Sequence, residues 1–261
     1  LRFKQMWSEH FSLRSVKYCS FAPPPPPPPP RKIKVLCLHG FGSNAKSFEQ
    51  SLATLQHSVA NNCSFVYLDA ETTPCSLISM FSAGAPTNGK CWWRMSPANH
   101  GQGWMNSLDQ LMDFLNEEDI DGILGFSQGA AMVTVLLAEL AEKQQTQPFA
   151  FACLFSGFIP SQKQMREKVL KAGNMFDDSV TSVHTASTTA SQMNLFHCYA
   201  KEDIVIPSSK SIELVHCFEN CPGNTCIAPA HETGHAVNRL PPTVVNSFKT
   251  FIHEQVQNMD S

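Results

Sequence analysis

Gly125-Phe126-Ser127-Gln128-Gly129 sets a serine between two glycines, after a strand-like run and ahead of an apolar helical run. This pattern suits a tight strand-to-helix turn that lifts a serine hydroxyl off a sheet edge for use as a nucleophile. The serine backbone in such a turn is strained, and the glycines let neighbouring backbone approach where a Cβ would collide. Ala130 and Ala131 keep the helix start small where it presses on the strand. The same turn aims the Gln128 amide at the space above Ser127.

A serine hydroxyl is a weak nucleophile until a base takes its proton, so a histidine and an orienting acid are required. With this elbow the chain order is serine, acid, histidine. In open α/β sheets the reactive groups gather beyond the carboxyl ends of the strands. Asp203, in Ala-Lys-Glu-Asp-Ile-Val-Ile-Pro, and His235, in His-Glu-Thr-Gly-His-Ala-Val, meet both conditions. Glu202 is the alternative acid. His231 is the alternative base, and it also suits a loop-shaping role. His197 lies inside an apolar run and reads as a core histidine, whereas Asp177 and Asp178 read as solvated.

Acyl transfer also needs donors for the oxygen that becomes negative, usually backbone N–H groups. Gln128 supplies one. The second is expected from His39-Gly40-Phe41-Gly42-Ser43-Asn44, where Gly40 and Gly42 let the backbone turn and Phe41 N–H is the candidate. His39 reads as a brace for that loop, and the alternative for the segment is an ordinary glycine-rich turn. No phosphate-binding G-x-x-x-x-G-K-[ST] pattern is present. The long connection Glu71–Gly103 carries Trp92 and Trp93, with Trp104 just beyond; the pair either lines an acyl pocket or anchors the loop, and a connection this long suits a lid.

His231-Glu232-x-x-His235 also spells the zinc-peptidase pattern H-E-x-x-H, which works only on a helix. Pro229 before it and Gly234 within it disfavour one. Cys217, Cys221 and Cys226 are close in sequence but form no Cys-x-x-Cys pair, so a metal site there is disfavoured too.

The elements that must position these groups are legible as alternating patterns. Near-continuous apolar runs predict strands at Ile33–His39, Ser64–Asp69, Gly122–Phe126, Ala150–Ser156, Leu195–Ala200 and Thr225–Ala228. Helices are expected at Ala45–Val59, Gly103–Asn116, Gln128–Lys143, Ser208–Phe218 and Pro242–Val256. Residues 160–193 show no strong periodicity and read as an insertion. The alternation implies a doubly wound, mostly parallel α/β fold in a single domain over 33–257.

Residues 1–32 form a separate leader that ends in the run Pro23–Pro30. Its Lys, Arg, Ser and aromatic content is compatible with an organellar transit peptide, but a disordered leader is the favoured expectation. The prolines would form a polyproline II rod, a spacer or a ligand for an SH3, WW or profilin-like groove.

Hydrophobic residues make up 43% of the 261-residue chain and charged ones 16%, a globular balance. A formal charge of −3 leaves no basic excess for nucleic acid. No run approaches the roughly 20 apolar residues of a membrane span, and a cytoplasmic location is expected. The ten cysteines fall largely in apolar runs and read as reduced core thiols, not a disulfide framework.

Taken together, Leu36-Cys-Leu-His-Gly-Phe41, Trp92-Trp93, Asp121 to Ala131, Ser156-Gly-Phe158, Asp203-Ile-Val-Ile-Pro207 and His231-Glu-Thr-Gly-His235 resemble a family of serine hydrolases in the α/β-hydrolase superfamily. That family includes the fungal serine hydrolases and the ovarian-cancer-associated serine hydrolase. The resemblance spans Lys34 to about His253. It implies carboxylic ester hydrolysis without a cofactor, a triad on Ser127, Asp203 and His235, and oxyanion donors on Phe41 and Gln128. Asp69-Ala-Glu-Thr and Asn238 depart from the family pattern, which bears on the pocket and thus on the small-molecule ester accepted.

Overall fold

A computed structural model of the chain describes residues 32–73, 88–95, 101–143, 145, 148–175, 193–221 and 223–260. The proline run and nearly all of the leader lie outside these residues, as do Asp177, Asp178 and much of the Glu71–Gly103 connection.

Six strands form one sheet: β1 (Ile33–Leu38), β2 (Cys63–Leu68), β3 (Gly122–Phe126), β4 (Phe151–Phe155), β5 (Asn194–Cys198) and β6 (Thr225–Ile227). Their order is β2-β1-β3-β4-β5-β6 and every pairing is parallel. The helices are α1 (Ala45–Ser51), α2 (Ala53–Val59), α3 (Trp104–Glu117), α4 (Gln128–Glu142), α5 (Lys163–Met175), α6 (Ser208–Cys217) and α7 (Pro242–Asp260). The chain winds outward from β1 in one direction to reach β2 and in the other to reach β3. The crevice between the carboxyl ends of β1 and β3 is therefore the topological switch point, where such sheets bind ligands.

Strand side chains alternate between two cores because successive residues point to opposite faces. Phe151, Cys153 and Phe155 of β4 join Phe196 of β5 and Phe248 and Phe251 of α7, with the α1–α2 pair completing that side. Phe196 sits 5.3 Å from Phe251 and 5.7 Å from Phe248 between ring centroids. Ala152 and Leu154 face the other way, onto α3, α4, α5 and α6. Helix α4 is buried along most of its length, which explains its nearly uninterrupted apolar sequence.

Two expectations need correction. The stretch 160–193 is not simply an insertion, because it contains α5. Met165, Val169 and Ala172 recur at helical spacing and are buried against the α3–α6 core. The Lys-rich remainder of the helix hid that stripe. Lys168 ties the exposed face to α4 through Glu139 at 2.5 Å and through Glu142. The single helix expected over Ala45–Val59 is broken at Leu52, whose N–H is shared between Phe48 and Glu49 carbonyls at 2.9 and 3.2 Å while its side chain is fully buried.

Cys37, Cys63, Cys153, Cys198, Cys217, Cys221 and Cys226 are free thiols. Burial raises the thiols of Cys63 and Cys198 to about 12, so they pack as small apolar groups. No helix among the described residues is long and apolar enough to cross a membrane.

Candidate active site

Ser127 follows β3 directly and opens α4. Its backbone has φ 54 and ψ −116, a left-handed conformation that an L-residue adopts only under constraint. Three contacts impose it. Ser127 N–H donates to the Phe155 carbonyl at 2.8 Å, and the Ser127 carbonyl accepts from Ala131 N–H at 3.0 Å. Gly129 packs so tightly on β1 that a Cβ there would overlap the Leu38 carbonyl. Gly125 faces the Ala130 backbone in the same way, so both glycines of the motif are sterically required.

The loop after β5 brings Asp203 to the same edge, and the loop after β6 brings His235. Ser127 Oγ donates to His235 Nε2 at 2.9 Å, and His235 Nδ1–H donates to Asp203 Oδ2 at 2.7 Å. An ionised carboxylate only accepts, so this pair fixes the tautomer that leaves Nε2 free to take a proton. Asp203 is buried and its Oδ1 accepts from Val205 and Ile206 N–H at 2.9 and 2.8 Å. The imidazole also lies on the Phe126 ring, with centroids 4.8 Å apart. Phe126, an unassigned position of the elbow in the sequence, thus limits where the base can swing.

The Phe41 loop after β1 abuts the elbow: a Cβ on Gly40 would come within 3.5 Å of Ser127 Cβ. Its neighbour His39 is fully buried, donates from Nδ1 to the Gly40 carbonyl at 2.8 Å and accepts Ala70 N–H at Nε2 at 3.2 Å. Burial lowers its pKa and keeps it neutral, so it braces the loop and is not aimed at Ser127. Gly42 N–H donates to the Lys90 carbonyl at 2.8 Å, whereas Phe41 and Gln128 N–H have no acceptor among the described residues.

Of the two roles open to Trp92 and Trp93, pocket wall or loop anchor, their surroundings favour the anchor. Both are fully buried, so neither indole offers a face to a ligand. Trp92 Nε1–H donates to the His39 carbonyl at 2.8 Å, and Trp93 packs on Phe158 with centroids 6.5 Å apart. The Gln128 side chain, to which the sequence gave no role, clamps both. Its Oε1 accepts Trp92 N–H and its Nε2 donates to the Trp93 carbonyl, each at 2.9 Å. The pair therefore anchors the connection under the elbow.

His231 serves the backbone. It bridges Ala200 in a short parallel extension of β5, its carbonyl accepts Lys201 N–H at 2.7 Å, and its Nδ1 accepts from the Thr233 hydroxyl at 2.8 Å. Burial lowers its pKa, partly offset by nearby Asp203. Residues 231–235 form an irregular loop with Gly234 at φ 67, which does not fit the helix a zinc-peptidase motif requires. Glu202 is exposed beside Asp203, and His197 is buried within β5 with its pKa lowered to about 4 by desolvation alone. Ser156, named among the sequence motifs without a role, donates to Asp203 Oδ2 at 3.2 Å from a buried position just after β4. Asp69 at the end of β2 accepts Ala45 N–H at 2.6 Å and so caps α1 beside the Phe41 loop.

Known proteins resemble this chain over most of its length. The chain is 26% identical over 232 residues to Esterase FPY3 of Fusarium mangiferae, covering 86% of this chain and 97% of that protein. It is 27% identical over 252 residues to Rhodanese-like domain-containing protein 6 of Arabidopsis thaliana, with 86% of this chain matched but only 39% of that longer protein. Among solved structures, acyl-protein thioesterase 2 of Zea mays superposes with a TM-score of 0.59 at 20% identity, covering 87% of this chain and 94% of that one, a likeness of fold. The family described as serine hydrolase (FSH1) matches residues 29–245, most of the chain, and this protein belongs to it.

Proposed function

We propose that the protein hydrolyses carboxylic esters through an acyl-enzyme on Ser127. The observation that carries this is the imidazole of His235 held between the Asp203 carboxylate and the Ser127 hydroxyl at 2.7 and 2.9 Å. Membership in a serine hydrolase family and likeness to a protein named esterase support it.

In this mechanism Ser127 Oγ attacks the ester carbonyl carbon while His235 Nε2 takes the hydroxyl proton. Phe41 and Gln128 N–H stabilise the resulting oxyanion, and Asp203 stabilises the imidazolium. The bond to the alcohol oxygen breaks as His235 returns the proton to it. Water, deprotonated by the same imidazole, then attacks the acyl carbon, and the bond to Ser127 Oγ breaks as His235 returns the proton to that oxygen, which releases the acid and restores the serine. The residues needed for these steps come from this chain, and no step calls for a cofactor. A cytoplasmic setting and a polyproline-binding partner for Pro23–Pro30 are further proposals from the sequence.

Treatment with a fluorophosphonate probe tests the assignment. The parent protein should label covalently and hydrolyse esters of graded acyl length, and Ser127→Ala should abolish both while unfolding at the same temperature. Labelling that survives in Ser127→Ala would overturn it. Tight ester binding without turnover in the parent would point to a ligand-binding role instead, and a thioester series run alongside fixes which acyl bond is preferred.

A further inference from the structure

Ser156 stands between the two halves of the site. β4 lies between β3 and β5, so the residue that ends it is flanked by the loop carrying Ser127 and the loop carrying Asp203. The preceding Phe155 carbonyl holds the elbow through Ser127 N–H, and Ser156 N–H donates to the Cys198 carbonyl of β5 at 2.7 Å. Among the described residues, Ser127 and Ser156 are the two non-glycine positions with positive φ, 54 and 47.

A left-handed backbone costs a residue with a Cβ roughly 1 kcal/mol or more, and glycine avoids that cost. What a serine provides at position 156 that glycine does not is a hydroxyl, and that hydroxyl meets Asp203 Oδ2 at 3.2 Å. Asp203 Oδ1 already accepts two backbone N–H groups, and Oδ2 accepts His235 Nδ1–H. A carboxylate has about four acceptor directions, so Ser156 fills the remaining one. With every direction taken, the carboxylate cannot rotate without losing hydrogen bonds.

We propose that Ser156 is a positioning residue of the active site, fixing the Asp203 carboxylate so that it holds His235 in line with Ser127. The proposal rests on the assignment of ester hydrolysis to Ser127, Asp203 and His235. Ser156 is buried behind the acid and acts through it, so its effect falls on kcat and leaves KM unchanged.

The test compares Ser156→Ala and Ser156→Gly with the parent on a soluble short-chain ester, alone and in an Asp203→Ala background. Both single variants should lower kcat about tenfold, the effect of losing one hydrogen bond to a charged group, at unchanged KM. Ser156→Gly relieves the backbone strain and should unfold no earlier than Ser156→Ala, which separates the rate effect from a loss of stability. In the Asp203→Ala background, Ser156→Ala should cost less than about twofold more, because the partner through which it acts is gone. Equal losses in the two backgrounds, or single variants as active as the parent, would overturn the proposal. If Ser127→Ala itself retained activity, the ester-hydrolase assignment would fall instead, which distinguishes the two failures.

Discussion

The two edges of the sheet are built by different rules. At the amino edge, ordinary pairs hold ordinary backbone: Asp121 accepts Lys34 N–H at 2.7 Å, and Asn194 donates to Gln255 at 2.7 Å while accepting Asn224 N–H at 2.9 Å. At the carboxyl edge, Ser127 and Ser156 are held left-handed, and His39, Ser127, Ser156, Asp203 and His231 are buried polar groups. Such groups destabilise a fold unless each finds a partner. Here Ser127, His235, Asp203 and Ser156 are bonded in one series, His39 and His231 are satisfied by neighbouring backbone and Thr233, and the strain of the edge is sustained by the cores on either side of the sheet. Regular backbone and strained, buried polar groups thus sit at opposite ends of the same strands.

The sharpest way to break that division is at the acid. Asp203→Asn should keep the fold but lower kcat/KM by about 10⁴-fold, because an amide that donates to Nδ1 imposes the wrong imidazole tautomer. Steady-state kinetics beside a thermal melt reads both quantities. A loss below tenfold would mean that His235 does not depend on Asp203.

Gly129→Ala should instead damage fold and site together. The added Cβ meets the Leu38 and His39 carbonyls, which are backbone and cannot turn away. Overpacking of this kind costs about 3 kcal/mol, and chemical denaturation should report it alongside lost fluorophosphonate labelling.

A pH dependence sharpens the contrast without touching the edge. His197 stays neutral down to about 4 in the fold, whereas an unfolded histidine titrates near 6.5. Between those values the unfolded state binds more protons. Stability contributed by the neutral buried ring is therefore full above about 6.5 and is lost as pH falls toward 4, by about 3 kcal/mol in total. Buried His39 and His231, with lowered pKa values, act in the same direction. Denaturation midpoints of His197→Gln should fall less steeply than the parent's from pH 7 to 5, and parallel curves would refute the account.

The smallest effect belongs to the amino edge. Asp121→Ala should remove about 1–2 kcal/mol of stability, the worth of a hydrogen-bond acceptor lost beside a strand start, while kcat/KM changes by less than about twofold. A large kinetic effect there would show that the two edges are coupled.

Much of this was legible in the residues themselves. Continuous apolar runs marked the strands because both faces of a parallel sheet are covered, and the elbow announced itself because its glycines are sterically dictated at fixed spacing. Asp203 and His235 could be picked out by chain order and by their place just past strand ends. Helix α5 was harder to see, since a narrow buried stripe in a Lys-rich helix is a weak periodic signal. The tryptophan pair stayed open for another reason: an aromatic suits a pocket wall and a core equally, and only the fold supplies the neighbours that exclude solvent.

Sequence alone therefore determined what is local or periodic: the strand and helix pattern, the turn around Ser127, and the kinds of groups placed at strand ends. Tertiary structure decided everything that depends on distance across the chain. It brought residues 127, 203 and 235 within hydrogen-bond reach, gave the Gln128 side chain its clamp on Trp92 and Trp93, and put the Ser156 hydroxyl on the acid. The physical reason is that a hydrogen bond is specific to a few tenths of an ångström, and that register is set by packing of the whole sheet and its helices.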